Sequence, residues 1–308
     1  MEFLRPVILD TDIGDDIDDS WALTYLLNCP ELKTLMINTV SGDLEYKAKI
    51  CAKMLSAADR EDIPIGYGIG SSIDERMSLL KWIRDFDLKK YQGKVYQDGI
   101  SSMINLIKAS PSPVTIIAIG PLTNIAEFIR RAPELVSRTS IVAMAGSISK
   151  KHNFIDGTIA EFNILQDIAA AQKVFSAPWH KFTLTPLDSC GGVVLDGNDY
   201  LKVKRSKSSL NLELMNSYKH FIKTRPEAKF DFDTSSSILY DTVAVHLAYS
   251  DKELVTEQLP LLVDNDGFTK IDPLGNIIDV AIGWNDLDSY KKNFVNRLVQ
   301  NEFDMMPL

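Results

Sequence analysis

Val7-Ile8-Leu9-Asp10-Thr11-Asp12-Ile13-Gly14-Asp15-Asp16-Ile17-Asp18-Asp19 is the stretch that decides the fold. Its apolar opening reads as a short strand, and Ser20-Trp21-Ala22-Leu23-Thr24-Tyr25-Leu26-Leu27 follows as a helix. Between them six carboxylates, those of Asp10, Asp12, Asp15, Asp16, Asp18 and Asp19, crowd one strand end. Unaided, such a cluster repels itself and resists ionisation. Capping a helix uses one or two Asp side chains. Six point instead to a hard cation among the oxygens, and a site with six or more oxygen ligands suits Ca²⁺.

Outward from this stretch the pattern repeats. Apolar, β-rich runs predict strands at Val7 to Asp12, Thr34 to Val40, Ile63 to Tyr67, Val114 to Ile119, Ser140 to Ala145 and Lys181 to Thr185. Leu44, Ala48, Cys51, Leu55 and Ala58 recur at helical spacing. Further helices are predicted at Gly99 to Lys108, Leu122 to Arg131, Asp167 to Phe175, Leu210 to Lys223, Ser237 to Tyr249 and Asp286 to Val299. Strands alternating with helices imply an α/β fold, an open, mostly parallel sheet covered on both faces. We read residues 1–308 as one domain, with irregular excursions near 70–97 and 195–229 passing over the sheet rim. Ligands of such sheets bind beyond the carboxyl ends of the strands. There the Asp cluster meets Ser41-Gly42-Asp43, Gly120-Pro121-Leu122-Thr123-Asn124 and Ala145-Gly146-Ser147.

Composition narrows the classes. A net charge of −9, from 42 acidic and 33 basic residues, lacks the basic footprint of a nucleic-acid binder. No stretch approaches the ~18 apolar residues of a membrane span, and Met1 to Pro6 shows no leader pattern; the expectation is a cytoplasmic protein. Cys29, Cys51 and Cys190 are too widely spaced for a zinc ribbon and read as buried hydrophobes. Gly66-Tyr67-Gly68-Ile69-Gly70 lacks dinucleotide-loop spacing, and no G-x-S-x-G elbow is present. Two further carboxylates stand out. Asp241 opens an apolar helix, and Glu161 with Asn163 lies at a helix entry. Singly, each reads as a cap or surface group.

Together these segments resemble the inosine-uridine-preferring nucleoside hydrolase family. Asp10-Thr11-Asp12-Ile13-Gly14 with Asp18-Asp19-Ser20-Trp21-Ala22-Leu23 is similar to its opening signature. Thr39-Val40-Ser41-Gly42-Asp43, Gly120-Pro121-Leu122-Thr123-Asn124, Ala160-Glu161-Phe162-Asn163 and Leu239-Tyr240-Asp241 match later segments in order. The resemblance implies a Rossmann-related fold and a homodimer or homotetramer that hydrolyses the N-glycosidic bond of ribonucleosides with Ca²⁺. By position, Asp12, Asp19, Asp241 and the carbonyl of Thr123 would hold the metal, and Asp12 would act as general base toward water. Asp18, Asp43, Glu161 and Asn163 would contact ribose, with Phe162 lining the pocket.

This chain departs from the family pattern at four places. Two extra residues follow Gly14, so Asp15 and Asp16 rival Asp18 and Asp19. Asp43 replaces an Asn, and the Asn-bearing turn before Glu161 becomes Phe154-Ile155-Asp156-Gly157-Thr158. Tyr240 replaces the His that assists departure of the base. Two alternatives follow from the sequence: a catalytically impaired Ca²⁺, nucleoside or ribose binder, and a haloacid-dehalogenase-type phosphotransfer enzyme. His152, in a loop near the rim, is a further candidate.

Overall fold

Apolar alternation builds the central strand. Val7 and Leu9 of β1 (Arg5–Thr11) pack on one face of the sheet with Trp21, while Ile8 packs on the other with Met36 and Ile116. Successive side chains of a strand point to opposite faces, so one apolar run serves two cores. The computed structural model describes residues 4–71, 76–227 and 230–299. The parts of the expected domain and excursions at 1–3, 72–75, 228–229 and 300–308 lie outside the described residues.

The further strands are β2 (Leu32–Thr39), β3 (Ile65–Tyr67), β4 (Val95–Tyr96), β5 (Val114–Ala118), β6 (Thr139–Met144), β7 (Lys181–Thr185), β8 (Val194–Asp196), β9 (Ser235–Ile238), β10 (Leu254–Val263), β11 (Thr269–Ile271) and β12 (Asn276–Trp284). Ten form one sheet in the order β11-β10-β12-β7-β6-β5-β1-β2-β3-β4, and β8 pairs with β9 apart from it. From β4 to β12 neighbours run parallel, and β10 pairs antiparallel with both β11 and β12. The mostly parallel α/β sheet expected from the sequence is therefore present, extended by an antiparallel edge that the strand pattern missed.

One predicted helix needs correction. Ser235–Ile238 is strand, and the helix begins at Thr242 and ends at Leu247. The side chain of Ser236 receives the Leu195 amide at 2.9 Å and so serves the β8–β9 ribbon. The second excursion is also more regular than read, containing helices Gly197–Arg205 and Ser209–Thr224.

Strand order reverses beside β1. The chain moves outward through β2, β3 and β4, then returns to place β5 on the other side of β1. Register aligns Asp10 with Asn38 on one side and with Ala118 on the other. The strand ends leading into Asp12, Ser41 and Gly120 thus open into one crevice, at the switch point where such folds bind ligands.

Two glycines permit this convergence. Gly14 has φ +117°, and a Cβ there would meet Tyr46 and Ile50 at 2.6 Å. At Gly120 a Cβ would lie 2.9 Å from both the backbone N and Oδ1 of Asp12. Gly120→Ala must push β1 and β5 apart or turn Asp12 aside. Overpacking of this kind destabilises by about 1–3 kcal/mol. The expected result is an earlier urea midpoint with an unchanged slope; an unshifted midpoint would show that the crevice has slack.

Candidate functional site

The acidic loop is shaped by its own short side chains. Thr11 donates its hydroxyl to Asp19 Oδ1 at 2.5 Å while its Oγ1 accepts the amide of Ile13 at 3.1 Å. Asp18 and Asp19 form the first turn of helix Asp18–Leu27, and Asp241 precedes helix Thr242–Leu247. The Asp241 amide donates to Asp18 Oδ2 at 3.4 Å. One carboxylate oxygen each from Asp18, Asp19 and Asp241 lie within 4.8 Å of one another, all three residues being buried.

Burial first, and then the neighbouring carboxylates, hold Asp18, Asp19 and Asp241 well above the usual carboxylate range. The charge of Asp12 acts on all three, and also on Asp10 and Glu161. Three buried, acceptor-only groups this close cannot all ionise without a cation. The donor set is oxygen alone, which fits a hard divalent ion. This cluster could hold a metal.

Polar groups that had no role in the sequence reading surround the cluster. Lys47, fully buried, donates Nζ to the Asp12 carbonyl at 2.6 Å, and its charge draws Asp19 down. Lys47 stands four residues before Cys51 on the buried face of its helix, a cation among apolar positions and a readable signal. Asn124 donates Nδ2 to Asp10 Oδ2 at 2.8 Å and to the Thr39 carbonyl at 3.2 Å, and accepts the Ile69 amide at 2.8 Å. It ties β1, β2 and the loop after β3 to one helix. Burial pushes Asp10 up to about 7 despite that bond.

The remaining predicted residues are distributed around this centre. Glu161 is buried and caps helix Phe162–Leu165, accepting amides from Asn163 at 2.9 Å, Gly146 at 3.1 Å and Ile164 at 3.4 Å. Asn163 donates Nδ2 to the carbonyls of Met144 (3.1 Å) and Ile119 (3.3 Å), bridging the ends of β6 and β5. Phe162 is 58% exposed, presenting an apolar ring beside these polar groups. Thr123 donates its hydroxyl to Asp167 at 2.8 Å. Asp43 is exposed and accepts the Tyr46 amide at 3.0 Å as an N-cap. Tyr240, half-buried, hydrogen-bonds His152 Nδ1 at 2.9 Å through its hydroxyl.

Asp15 and Asp16 stand outside the metal-competent trio. Arg225 binds Asp15 at Oδ1 (2.5 Å) and at its carbonyl (2.9 Å) and also donates to Ser78 at 3.2 Å. The two excursions thereby meet over the acidic loop, with Thr224 donating to the Ser78 carbonyl at 3.2 Å. Asp16 is exposed at the mouth of the site.

Glu161 gives a pH test of this electrostatic frame. Burial raises its carboxyl from 4.5 to about 7 against the pull of three backbone amides. The folded state therefore binds the proton more tightly than the unfolded state does. That advantage is full below pH 4.5 and is lost as pH rises through about 7, a fall of about 3 kcal/mol. Thermal midpoints of the metal-free chain should drop across this window, and Glu161→Gln should remove that share of the drop. An identical pH slope in the variant would mean that Glu161 is ionised throughout.

The geometry has counterparts. The inosine-uridine preferring nucleoside hydrolase family model matches residues 7–293. The non-specific ribonucleoside hydrolase RihC of Klebsiella pneumoniae (strain 342) is 32% identical over 184 residues, 55% of this chain and 57% of that protein. The pyrimidine-specific ribonucleoside hydrolase RihA of Shewanella sp. (strain MR-7) is 29% identical over 196 residues, 61% and 58% of the two chains. The chain thus spans less than two thirds of the length of either relative. Among solved structures, a plant nucleoside hydrolase superposes with a TM-score of 0.80 at 21% identity, covering 96% of this chain and 99% of its own. A purine-preferring ribonucleoside hydrolase from Gardnerella vaginalis gives 0.78 at 22% identity, covering 96% and 98%. At such identities the superpositions speak for the fold. With the family model matching nearly the whole length, the chain belongs to the inosine-uridine preferring nucleoside hydrolase family.

Proposed function

We propose that this protein hydrolyses the N-glycosidic bond of ribonucleosides, releasing ribose and free base, with Ca²⁺ held by Asp12, Asp19, Asp241 and the Thr123 carbonyl. The observation that carries this reading is the buried carboxylate cluster at the strand switch point, electrostatically unsatisfied on its own. A bound divalent ion supplies the neutralising charge and makes nearby water more acidic.

The protein's own residues do the rest. Asp12, wedged against Gly120, removes the proton from the attacking water. Cleavage leaves positive charge on the sugar ring, and the carboxylates around it stabilise that charge. Asp18, Glu161 and Asn163 bind ribose hydroxyls, with Asp43 at the outer edge. Bonds to strand ends fix Glu161 and Asn163 before substrate arrives, so binding energy is available for the transition state. Phe162 shields one side of the sugar from water. Asp18, within 4.8 Å of Asp19 and Asp241, stands close to the ion as well as binding the sugar. We infer a symmetric homo-oligomer as the working state, the common arrangement for such enzymes.

Reducing-sugar release from purine and pyrimidine ribonucleosides, before and after metal removal, tests the reading. Chelation should abolish release, and Ca²⁺ should restore it. Asp12→Asn should lower kcat by about 10²–10⁴-fold, while Asp19→Asn and Asp241→Asn should weaken Ca²⁺ binding. A folded, Ca²⁺-loaded protein that releases no ribose from any nucleoside would leave a binding role instead.

A further inference from the structure

Departure of a nucleobase leaves an electron pair on nitrogen that must be protonated, and the groups assigned above to the sugar, Asp18, Asp43, Glu161 and Asn163, are carboxylates and an amide. Tyr240 is next to Asp241, and its hydroxyl lies within hydrogen-bond distance of His152. Transferring the hydroxyl proton alone would leave a tyrosinate, unfavourable near neutral pH for a phenol of pKa ~10. A second proton source must therefore act with it, and His152 is in contact.

His152 Nδ1 lies 2.9 Å from Tyr240 Oη, and the two rings meet edge-on, 5.6 Å between centroids and 81° between planes. The loop bearing His152 is held from many sides. Asp188 accepts the amides of Ile148 and Ser149, both at 2.8 Å, and the Ser149 hydroxyl at 2.6 Å. Ser147 donates to the Lys150 carbonyl at 2.7 Å, Lys150 pairs with Asp156, and the Lys151 amide donates to Ile155 at 2.8 Å. Behind His152, Asn153 and Phe154 adopt φ of 59° and 56°, left-handed conformations uncommon for residues with a side chain. The Asn153 amide donates to Gly191 at 2.5 Å, and Phe154 packs where a Cβ on Gly192 would stand. The strain of two adjacent left-handed residues persists because these contacts over-determine the loop, and its outcome is the placement of the imidazole on Tyr240.

We propose that His152 is the positioning and proton-supplying partner of Tyr240, the two forming a relay that protonates the departing base; this rests on the hydrolase reading above. As the C1′–N bond breaks, its electron pair stays on the base. The base takes the Tyr240 Oη proton while Oη takes the Nδ1 proton of the His152 imidazolium, which becomes neutral imidazole. Asp12 meanwhile accepts the proton of the attacking water as the new C1′–O bond forms, so one proton is gained and one lost. His152 is exposed on its outer side and reloads from solvent. Partial burial holds its imidazole below the usual histidine range, against the pull of Asp16, so the imidazolium is a stronger acid whose population, and with it the relay, grows toward acidic pH.

The test compares leaving groups. Nucleosides need protonation of the base, whereas 4-nitrophenyl β-ribofuranoside releases a stable phenolate and needs none. In the Ca²⁺-loaded full chain, His152→Ala and Tyr240→Phe should each lower kcat for nucleosides by about 10²-fold, with KM little changed. Both should keep nitrophenyl riboside turnover within about threefold of wild type, and the double variant should be no worse than either single one. Equal losses on both substrates, additive losses in the double variant, or no loss on nucleosides would overturn the relay while leaving the hydrolase reading intact. A wild-type protein inert toward both substrate classes would instead remove the hydrolase reading, and the relay with it.

Discussion

Like charges held together in a buried crevice set the terms for the whole fold. Asp18 and Asp19 come from one helix start, Asp241 from another more than two hundred residues later, and Asp12 from the end of β1. Left to themselves, four such groups would separate or take up protons. The structure answers with directed donors. Thr11 binds Asp19, Asn124 binds Asp10, Lys47 binds the Asp12 carbonyl, and backbone amides bind Glu161. None of these donors removes the repulsion within the Asp18–Asp19–Asp241 trio itself, which is why the trio could hold a cation.

Topology makes this crowding possible at little cost in backbone distortion. With β2 and β5 on either side of β1, three strand ends point into one crevice in register, and each needs only a short polar turn to deliver its side chain. The core fixes the positions. Ile8 and Leu9 pack on opposite faces of the sheet, so β1 cannot slide or rotate without exposing one of them. Asp10 and Asp12 inherit that rigidity. The two excursions then close over the loop through Arg225, whose guanidinium joins Asp15 to Ser78.

How far the sequence revealed this depends on whether a signal is local. The parallel strands β1, β2, β3, β5, β6 and β7 were legible because continuous apolar runs ending in glycine or polar turns have one common solution. The antiparallel edge was not. In β10, Thr256, Glu257 and Gln258 are exposed, and the exposed apolar residues Ile277 of β12 and Leu274 of the preceding turn blur any alternation. Ser235-Ser236-Ser237 carries no period, so the helix at Thr242 was extended back across a strand. Within the site, Asp12, Asp19 and Asp241 stand out as acidic residues at element ends. The contacts Asp15–Arg225 and His152–Tyr240 join residues 210 and 88 positions apart, and no local pattern marks either pair.

The two halves of the crevice therefore differ in how freely they can change. Asp12, Asp19 and Asp241, proposed above to hold the metal, sit at the ends of β1 and of two helices whose apolar residues are buried in the core, so moving one means moving an element. Tyr240 and His152 meet from a short connection after β9 and a loop after β6. The loop is held by its own hydrogen bonds and by Asp188 and Gly191, which follow β7 rather than β1 or β5. On the relay proposed above, a replacement beside Asp241 is tolerable where a loop residue completes its chemistry, and the left-handed Asn153–Phe154 backbone is the cost of aiming that residue. Changes in how the base is received can thus arise in this half while the charge cluster, fixed by the core, stays as it is.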